Sequence, residues 1–333
     1  MALQFFDGFD HYNTTALLAA KWGAILSNPS FVTGRGGVGQ GIRLSSARAC
    51  TRTVSGSPAT IICGFAYKYL GGSNSSILRI LDGATVHFQL YYDSGNGALG
   101  AYRNTTLLGS SAPGTAGAAA SGHIYIELKV TISDTVGVVE VRVNGATVLS
   151  LTGQDTRNAA AAQITSVQLY GGQDSEYDDF YLCDTTGSVN NDFLGDVKIV
   201  PLYPNAAGDS TQLTPLSGSN YQNVDEAIAD GDTTYVESST VGHKDLYTFD
   251  NLSFTPESIL GVQSIAVVRK DDAGTREVRA ITKSGSTTRN GPTFAPSTTY
   301  GIAMDIMETN PADSEAWERT DVDALQAGVE IVT

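Results

Sequence analysis

The phrase Phe5-Phe6-Asp7-Gly8-Phe9-Asp10 near the start of the chain has a near mirror far downstream, Tyr177-Asp178-Asp179-Phe180-Tyr181-Leu182. Aromatic residues alternating with carboxylates put rings on one face of a pleated strand and charges on the other, so two such segments make natural antiparallel neighbours. The chain leaves a sheet and returns to it. That closes a β-sandwich near residue 185, and the residues beyond it must form a second unit.

At 333 residues the chain exceeds a usual single domain of roughly 100–200 residues, so two domains are expected, each able to bury its own core. With 36 glycines, 15 tyrosines and only 17% charged residues, the composition favours many short strands joined by tight turns. The net charge of −15 is unevenly placed: residues 1–189 hold 11 Lys and Arg against 13 Asp and Glu, and residues 190–333 hold nine against 22. Such a balance excludes nucleic acid as a partner, because its binding draws on clustered basic residues. Cys50, Cys63 and Cys183 are too few and too scattered for a disulfide framework or a zinc site, and they read as buried thiols. The first residues lack a basic stretch followed by an apolar one, and no run reaches 18 apolar residues. The expectation is a chain made in a cytoplasm, with no signal peptide and no membrane insertion.

One short helix is expected over residues 16–22, capped by Asn13-Thr14-Thr15. From residue 41 onward the texture is of strands bounded by Gly, Asn or Asp. Asp82-Gly83 and Asn144-Gly145 are the strongest hairpin signals, since a type I′ turn needs positive φ at both central residues. Residues 184–196 are polar and glycine-punctuated and separate the two textures. The reading is therefore all-β, with a first β-sandwich over residues 1–187, an extended linker or arm over 188–222 and a second β-sandwich over 223–333, with a last helical turn at 321–326. Pro201 and Pro204 suit an edge strand or an extended arm.

The motifs carry little chemistry. Gly34-Arg35-Gly36-Gly37-Val38-Gly39 spells the dinucleotide fingerprint, but Gln40-Gly41-Ile42-Arg43-Leu44 after it reads as a strand, whereas the fingerprint needs a helix there. It is expected to be a glycine-rich turn entering a sheet. No Glu-x-Asp-x-x-Glu pair of glycosidase type and no Gly-x-Ser-x-Gly elbow is present, and His11, His87, His123 and His243 share no motif spacing. On that basis the chain is not expected to be an enzyme. Asp7, Asp10, Asp178 and Asp179 converge if the first and last strands of the sandwich pair. Hard oxygen ligands of that kind make a candidate calcium site, the competing reading being that they cap turns or are solvated. Tyr91-Tyr92, Tyr102 and Tyr170 are candidates for stacking on sugar rings, or else ordinary sheet residues.

The Phe-Asp-Gly-Phe-Asp start, the turn and strand over 34–44, the Val143-Asn144-Gly145 hairpin and the closing Tyr177-Asp178-Asp179-Phe180-Tyr181, in that order, resemble a laminin-G-like, concanavalin-A-like jelly roll. Downstream, Gly195-Asp196-Val197-Lys198-Ile199, Tyr203-Pro204-Asn205, Asp230-Gly231-Asp232 through Val236, and Asn310-Pro311 through Trp317 to Glu330 resemble virion proteins of tailed bacteriophages. The resemblance implies a structural component of the virion, tail or baseplate associated, that forms a homo-oligomer and contacts other virion proteins through symmetric patches. The alternative it leaves open is a receptor-binding or decoration protein that holds host-surface glycans. It supplies no functional residues.

Overall fold

A computed structural model describes residues 2–119 and 121–333. The chain divides into two compact units, Met1–Asp10 with Trp22–Val200, and His11–Lys21 with Pro201–Thr333.

The first unit is built from β1 (Leu3–Asp7), β2 (Gly23–Leu26), β3 (Ser30–Thr33), β4 (Gln40–Leu44), β5 (Arg48–Thr53), β6 (Thr60–Gly71), β7 (Ser75–Asp82), β8 (Thr85–Tyr92), β9 (Leu99–Arg103), β10 (Thr106–Ser110), β11 (Ile124–Thr131), β12 (Gly137–Val143), β13 (Ala146–Gln154), β14 (Ser166–Gly171) and β15 (Asp174–Asp184). They make two antiparallel sheets. One has eight strands, in the order β13-β12-β11-β6-β15-β4-β3 with β1 also on β15; the other has seven, β10-β9-β8-β7-β14-β5-β2. The chain passes repeatedly from one sheet to the other, as in the jelly roll that the sequence led us to expect. The two mirror phrases do pair, Phe6 opposite Tyr181 and Asp7 opposite Phe180.

Between the sheets lie large aromatic side chains whose polar tips find partners, as burial demands. Tyr177 on β15 reaches across to donate its hydroxyl to the carbonyls of Ile77 and Tyr170 in the other sheet, at 3.1 and 3.0 Å. Tyr67 on β6 packs on Tyr92 of β8 with ring centroids 6.0 Å apart. The three cysteines are buried and free, and burial pushes the thiols of Cys50 and Cys63 well above their usual range. Asn144 and Gly145 take positive φ between paired Val143 and Ala146, as a type I′ turn requires. At the other hairpin, Asp82 pairs with Thr85, so the turn residues are Gly83-Ala84, one position later than expected.

In the second unit, β16 (Pro204–Thr211), β19 (Lys244–Phe249), β21 (Val278–Ser284), β22 (Thr287–Asn290) and β24 (Gln326–Ile331) form a five-stranded sheet in the order β16-β19-β24-β21-β22. A ribbon of β20 (Val262–Val268) and β23 (Gly301–Met307) packs on it, with Met307, Trp317, Val322, Leu325 and Ala327 in a shared core. A smaller ribbon joins β17 (Thr214–Pro215) to β18 (Val236–Glu237). Asp245 on β19 is buried and accepts from the backbone of Gln212 and Leu213, the Asn220 amide and the Tyr247 hydroxyl at 2.6–2.9 Å, which fixes the loop after β16. Helix α2 (Arg319–Ala324) precedes β24.

The expected arm over 188–222 is corrected here. Residues up to Val200 belong to the first unit, and Pro204–Thr211 is an edge strand of the five-stranded sheet, pairing Ala207 with Tyr247. An edge strand tolerates proline and bulges, so it lacks the alternation by which a strand is read from sequence. Helix α1 (Thr15–Trp22) lies where expected, with the Thr14 hydroxyl accepting from the Leu17 N–H at 3.2 Å. Most of it groups with the second unit, where Asn13 donates to the Ala229 carbonyl at 2.8 Å.

Candidate functional site

The four carboxylates expected to converge do meet, around the glycine-rich turn and a bulge in β15 where Asp179 takes a φ of 48°. Asp7 accepts from the Phe9 N–H at 3.0 Å and from the Trp22 indole at 2.7 Å. Asp10 accepts from the Gln40 N–H and Asp178 from the Arg35 N–H, both at 2.7 Å. Asp179 accepts from the Ile199 N–H at 2.8 Å and lies 3.6 Å from the Arg35 guanidinium, which also pairs with Asp196. The turn is glycine-rich because its backbone passes close to these oxygens. A Cβ at Gly39, which has a φ of 65°, would collide with Asp10 Oδ1, and one at Gly34 would sit 2.8 Å from Asp178 Oδ2.

Burial and mutual repulsion push Asp10 up to about 6 and Asp178 up to about 7, and Asp179 is raised by burial as well. Among the described residues no three His, Cys, Asp or Glu side chains stand as a metal's ligand set. The carboxylates instead fasten the turn and the segment 196–199 to β15.

A second cluster lies on the outer face of the seven-stranded sheet. Register carries one row across all seven strands: Leu107, Tyr102, Gln89, Arg79, Gln168, Thr51 and Ala24 are successive partners. Residues two apart on a strand share a face, so Tyr91 joins the row beside Gln89 and Tyr170 beside Gln168. The rings of Tyr91 and Tyr102 lie 4.5 Å apart, inclined at 41°. The Arg79 guanidinium carbon sits 3.3 Å from the centre of the Tyr170 ring. Arg79 Nε donates to Gln89 Oε1 at 2.9 Å, and Gln89 Nε2 donates to the Asn104 carbonyl at 2.6 Å, so this amide is held in one orientation. Gln168 donates to the Thr51 hydroxyl at 2.9 Å.

Of the tyrosines singled out from sequence, three are on this half-buried face. Tyr92 is not: it points inward at 1% exposure, its hydroxyl donated to the Gly117 carbonyl at 2.8 Å. Nothing in the local sequence marks Arg79, whose neighbours on the sheet come from β8 and β14. Near one end of the sheet a loop is tied down by His87, whose Nδ1 accepts the N–H groups of Asn158 and Ala159 at 3.0 and 3.3 Å. That fixes the neutral imidazole, and burial lowers its pKa.

Elsewhere in the unit an open groove of about 470 Å³ is lined by Ser45, Ser46, Gly71, Gly72, Gly172, Gln173 and Asp174. It offers no aromatic platform, and its one charged group, Asp174, is already paired with Arg43.

No protein-family model and no curated protein matches this chain. The solved structures similar to it include an alginate lyase, at 13% identity over 54% of this chain and 95% of that one, with a TM-score of 0.38. They also include a protein of unknown function with a galectin-like fold from Bacillus subtilis, at 11% identity over 55% and 96% with a TM-score of 0.34. A third, the sialidase of Trypanosoma rangeli, is 14% identical over 48% of this chain and 28% of its own, with a TM-score of 0.32. Two of these three are glycan-processing enzymes, which corrects the expectation that the chain is not an enzyme. That exclusion rested on missing motifs of other enzyme families, and it is withdrawn.

Proposed function

We propose that the protein binds glycans on the outer face of its seven-stranded sheet. The observation that carries this is the placement, by strand register, of the Tyr91 and Tyr102 pair, Tyr170 and the amides of Gln89 and Gln168 on one face. Aromatic rings pack on the apolar faces of sugars, while the buried Gln89 amide, held between Asn104 and Arg79, orients the cation beside them. Neighbouring strands lie about 4.8 Å apart, so Tyr102 and Arg79 are roughly 10 Å apart across the strands. An oligosaccharide lying across the strands would meet the tyrosine pair and then the cation. In the setting that the resemblance to virion proteins implies, such a face would hold a particle to its host surface.

The test is retention on a panel of immobilised polysaccharides, neutral and acidic, followed by titration with short oligosaccharides of whichever is retained. Tyr102→Ala and Tyr91→Ala should each weaken binding by about tenfold, ~1.4 kcal/mol, while leaving the protein folded. If nothing on the panel is retained, or if both variants bind as tightly as the parent, the reading falls.

A further inference from the structure

We infer that the ligand of this face is an acidic saccharide whose anionic group is gripped by Arg79. This rests on the glycan reading of the same face and specifies the class of sugar.

Arg79 stands apart from most arginines of the first unit in what lies beside it. Most arginines of the first unit are matched to acids: Arg35 to Asp179 and Asp196, Arg43 to Asp174, Arg103 to Asp155, Arg142 to Glu140 and Arg157 to Asp134. Arg79 has no carboxylate within ion-pairing reach among the described residues, and its cross-strand row contains no Asp or Glu. Arg142 is the instructive contrast. It too sits over a ring, 3.9 Å from the centre of Phe193, yet Glu140 lies 2.9 Å from its Nε. Residues 1–189 hold 13 acidic residues against 11 basic ones, and an arginine there on an aromatic platform, with no acid beside it, keeps its charge for an anion from outside.

The geometry says how the anion would bind. Gln89 occupies Nε, and the ring of Tyr170 backs the guanidinium. Nη1 and Nη2 have no hydrogen-bond partner among the described residues. Those two nitrogens form the end-on fork that meets two oxygens of a carboxylate or a sulfate in parallel, a contact that a lysine cannot reproduce. Gln89 is fixed through Asn104 and Tyr170 lies beneath, so the fork is oriented before the ligand arrives. The same Arg79 is about two strand spacings, roughly 10 Å, from Tyr102, so an acidic sugar at Arg79 and a stacked sugar at the tyrosine pair fit one oligosaccharide.

The experiment is calorimetric titration of the whole protein with short oligogalacturonates, with their methyl esters, which keep shape and lose charge, and with a sulfated oligogalactan. The expected result is binding of at least one acidic series, at least tenfold tighter than the methyl ester and weakened by added salt. Tight binding of the galacturonates alone assigns a carboxylate to Arg79, and of the sulfated series alone a sulfate. Arg79→Gln, which removes the charge, and Arg79→Lys, which removes the fork, should each lose at least tenfold on that series and lose markedly less on the methyl ester. Ester and acid binding equally well, or Arg79→Gln binding the acid as the parent does, overturns the inference. In either case a loss of binding in Tyr102→Ala leaves the glycan reading standing. If no saccharide, acidic or neutral, binds the parent protein, both fall together. The comparison of ester with acid uses the unaltered protein, so it decides the matter even if the arginine variants fold poorly.

Discussion

Two polar clusters of the first unit differ in how much of their hydrogen-bonding capacity the protein uses on itself. At the glycine-rich turn, Asp7, Asp10, Asp178 and Asp179 each accept from backbone N–H groups or a buried indole within the unit. On the seven-stranded sheet, Arg79 spends one nitrogen on Gln89 and rests on Tyr170, with its outer end free of protein partners among the described residues. On the proposed reading, the difference separates a fastener from a binding face. A carboxylate whose lone pairs are filled by the chain's own donors has its strength invested in folding, whereas a pre-oriented cation without an acid has its strength in reserve for a ligand.

The sharpest way to break the comparison is at Asp7. Its side chain is fully buried and serves the Phe9 N–H and the Trp22 indole, in a cluster where Trp22 also stacks on Phe9 at 5.6 Å and meets Phe180 at 5.0 Å. Asp7→Ala strands two buried donors and leaves a void, and urea unfolding should show a loss of about 3–5 kcal/mol. A loss below about 1 kcal/mol would mean the cluster is not a fastener.

The next effect is one of pH. Asp10 and Asp178 are raised to about 6 and about 7, chiefly by burial and then by neighbouring carboxylates, Asp179 above all, above the value near 3.9 of an unfolded chain. The unfolded chain therefore releases these protons first, so their contribution to stability is greatest near pH 4 and is lost as pH rises towards 7. His87, lowered by burial, works in the opposite sense below about 6.5. Comparing variant with parent cancels that term. Asp178→Asn keeps an acceptor for the Arg35 N–H and cannot ionise, so its melting temperature relative to the parent should climb from pH 5 to pH 8. A difference that stays constant across that range would show that Asp178 does not titrate there.

What the sequence made legible divides along the same line. The mirror phrases foretold the β1 and β15 pairing and the convergence of four carboxylates, because alternation within each phrase is a local signal. Asn144-Gly145 was equally readable, since only the turn chemistry of two adjacent residues was needed. The sheet face was not readable as a unit. Arg79 meets Gln168 only because β7 and β14, far apart in sequence, are neighbours, and no spacing encodes that. Tyr91 and Tyr92 illustrate the limit most simply: adjacent on one strand, they face opposite sides, and only Tyr91 joins the outer face. The strand Pro204–Thr211 was missed as part of the second sheet because its pairing with β19 is bulged twice, which erases its period.

Truncating the outer face should cost stability little. Tyr102→Ala removes one half-exposed ring from the pair with Tyr91, worth about 1 kcal/mol, and Arg79→Gln gives up a cation over Tyr170 worth about 0.5–1 kcal/mol. If chemical denaturation shows either variant losing as much as Asp7→Ala, the face is holding the sandwich together and the contrast between the two clusters collapses.

The smallest effect is expected from calcium. A cation bound only by the folded state raises stability by RT ln(1 + [L]/Kd), and to be held at Asp10, Asp178 and Asp179 it would have to displace the backbone donors of Gln40, Arg35 and Ile199 and the Arg35 guanidinium. Each of those carries positive charge or partial charge into the space a cation needs, and calcium wants six to eight oxygens where these fasteners leave few open. The melting temperature should therefore move by less than about 1 °C between millimolar calcium and excess chelator, at a pH above 7 where the carboxylates are ionised. A rise of several degrees with calcium, abolished in Asp178→Asn, would show that the turn opens to make a site and that the first cluster too holds something in reserve.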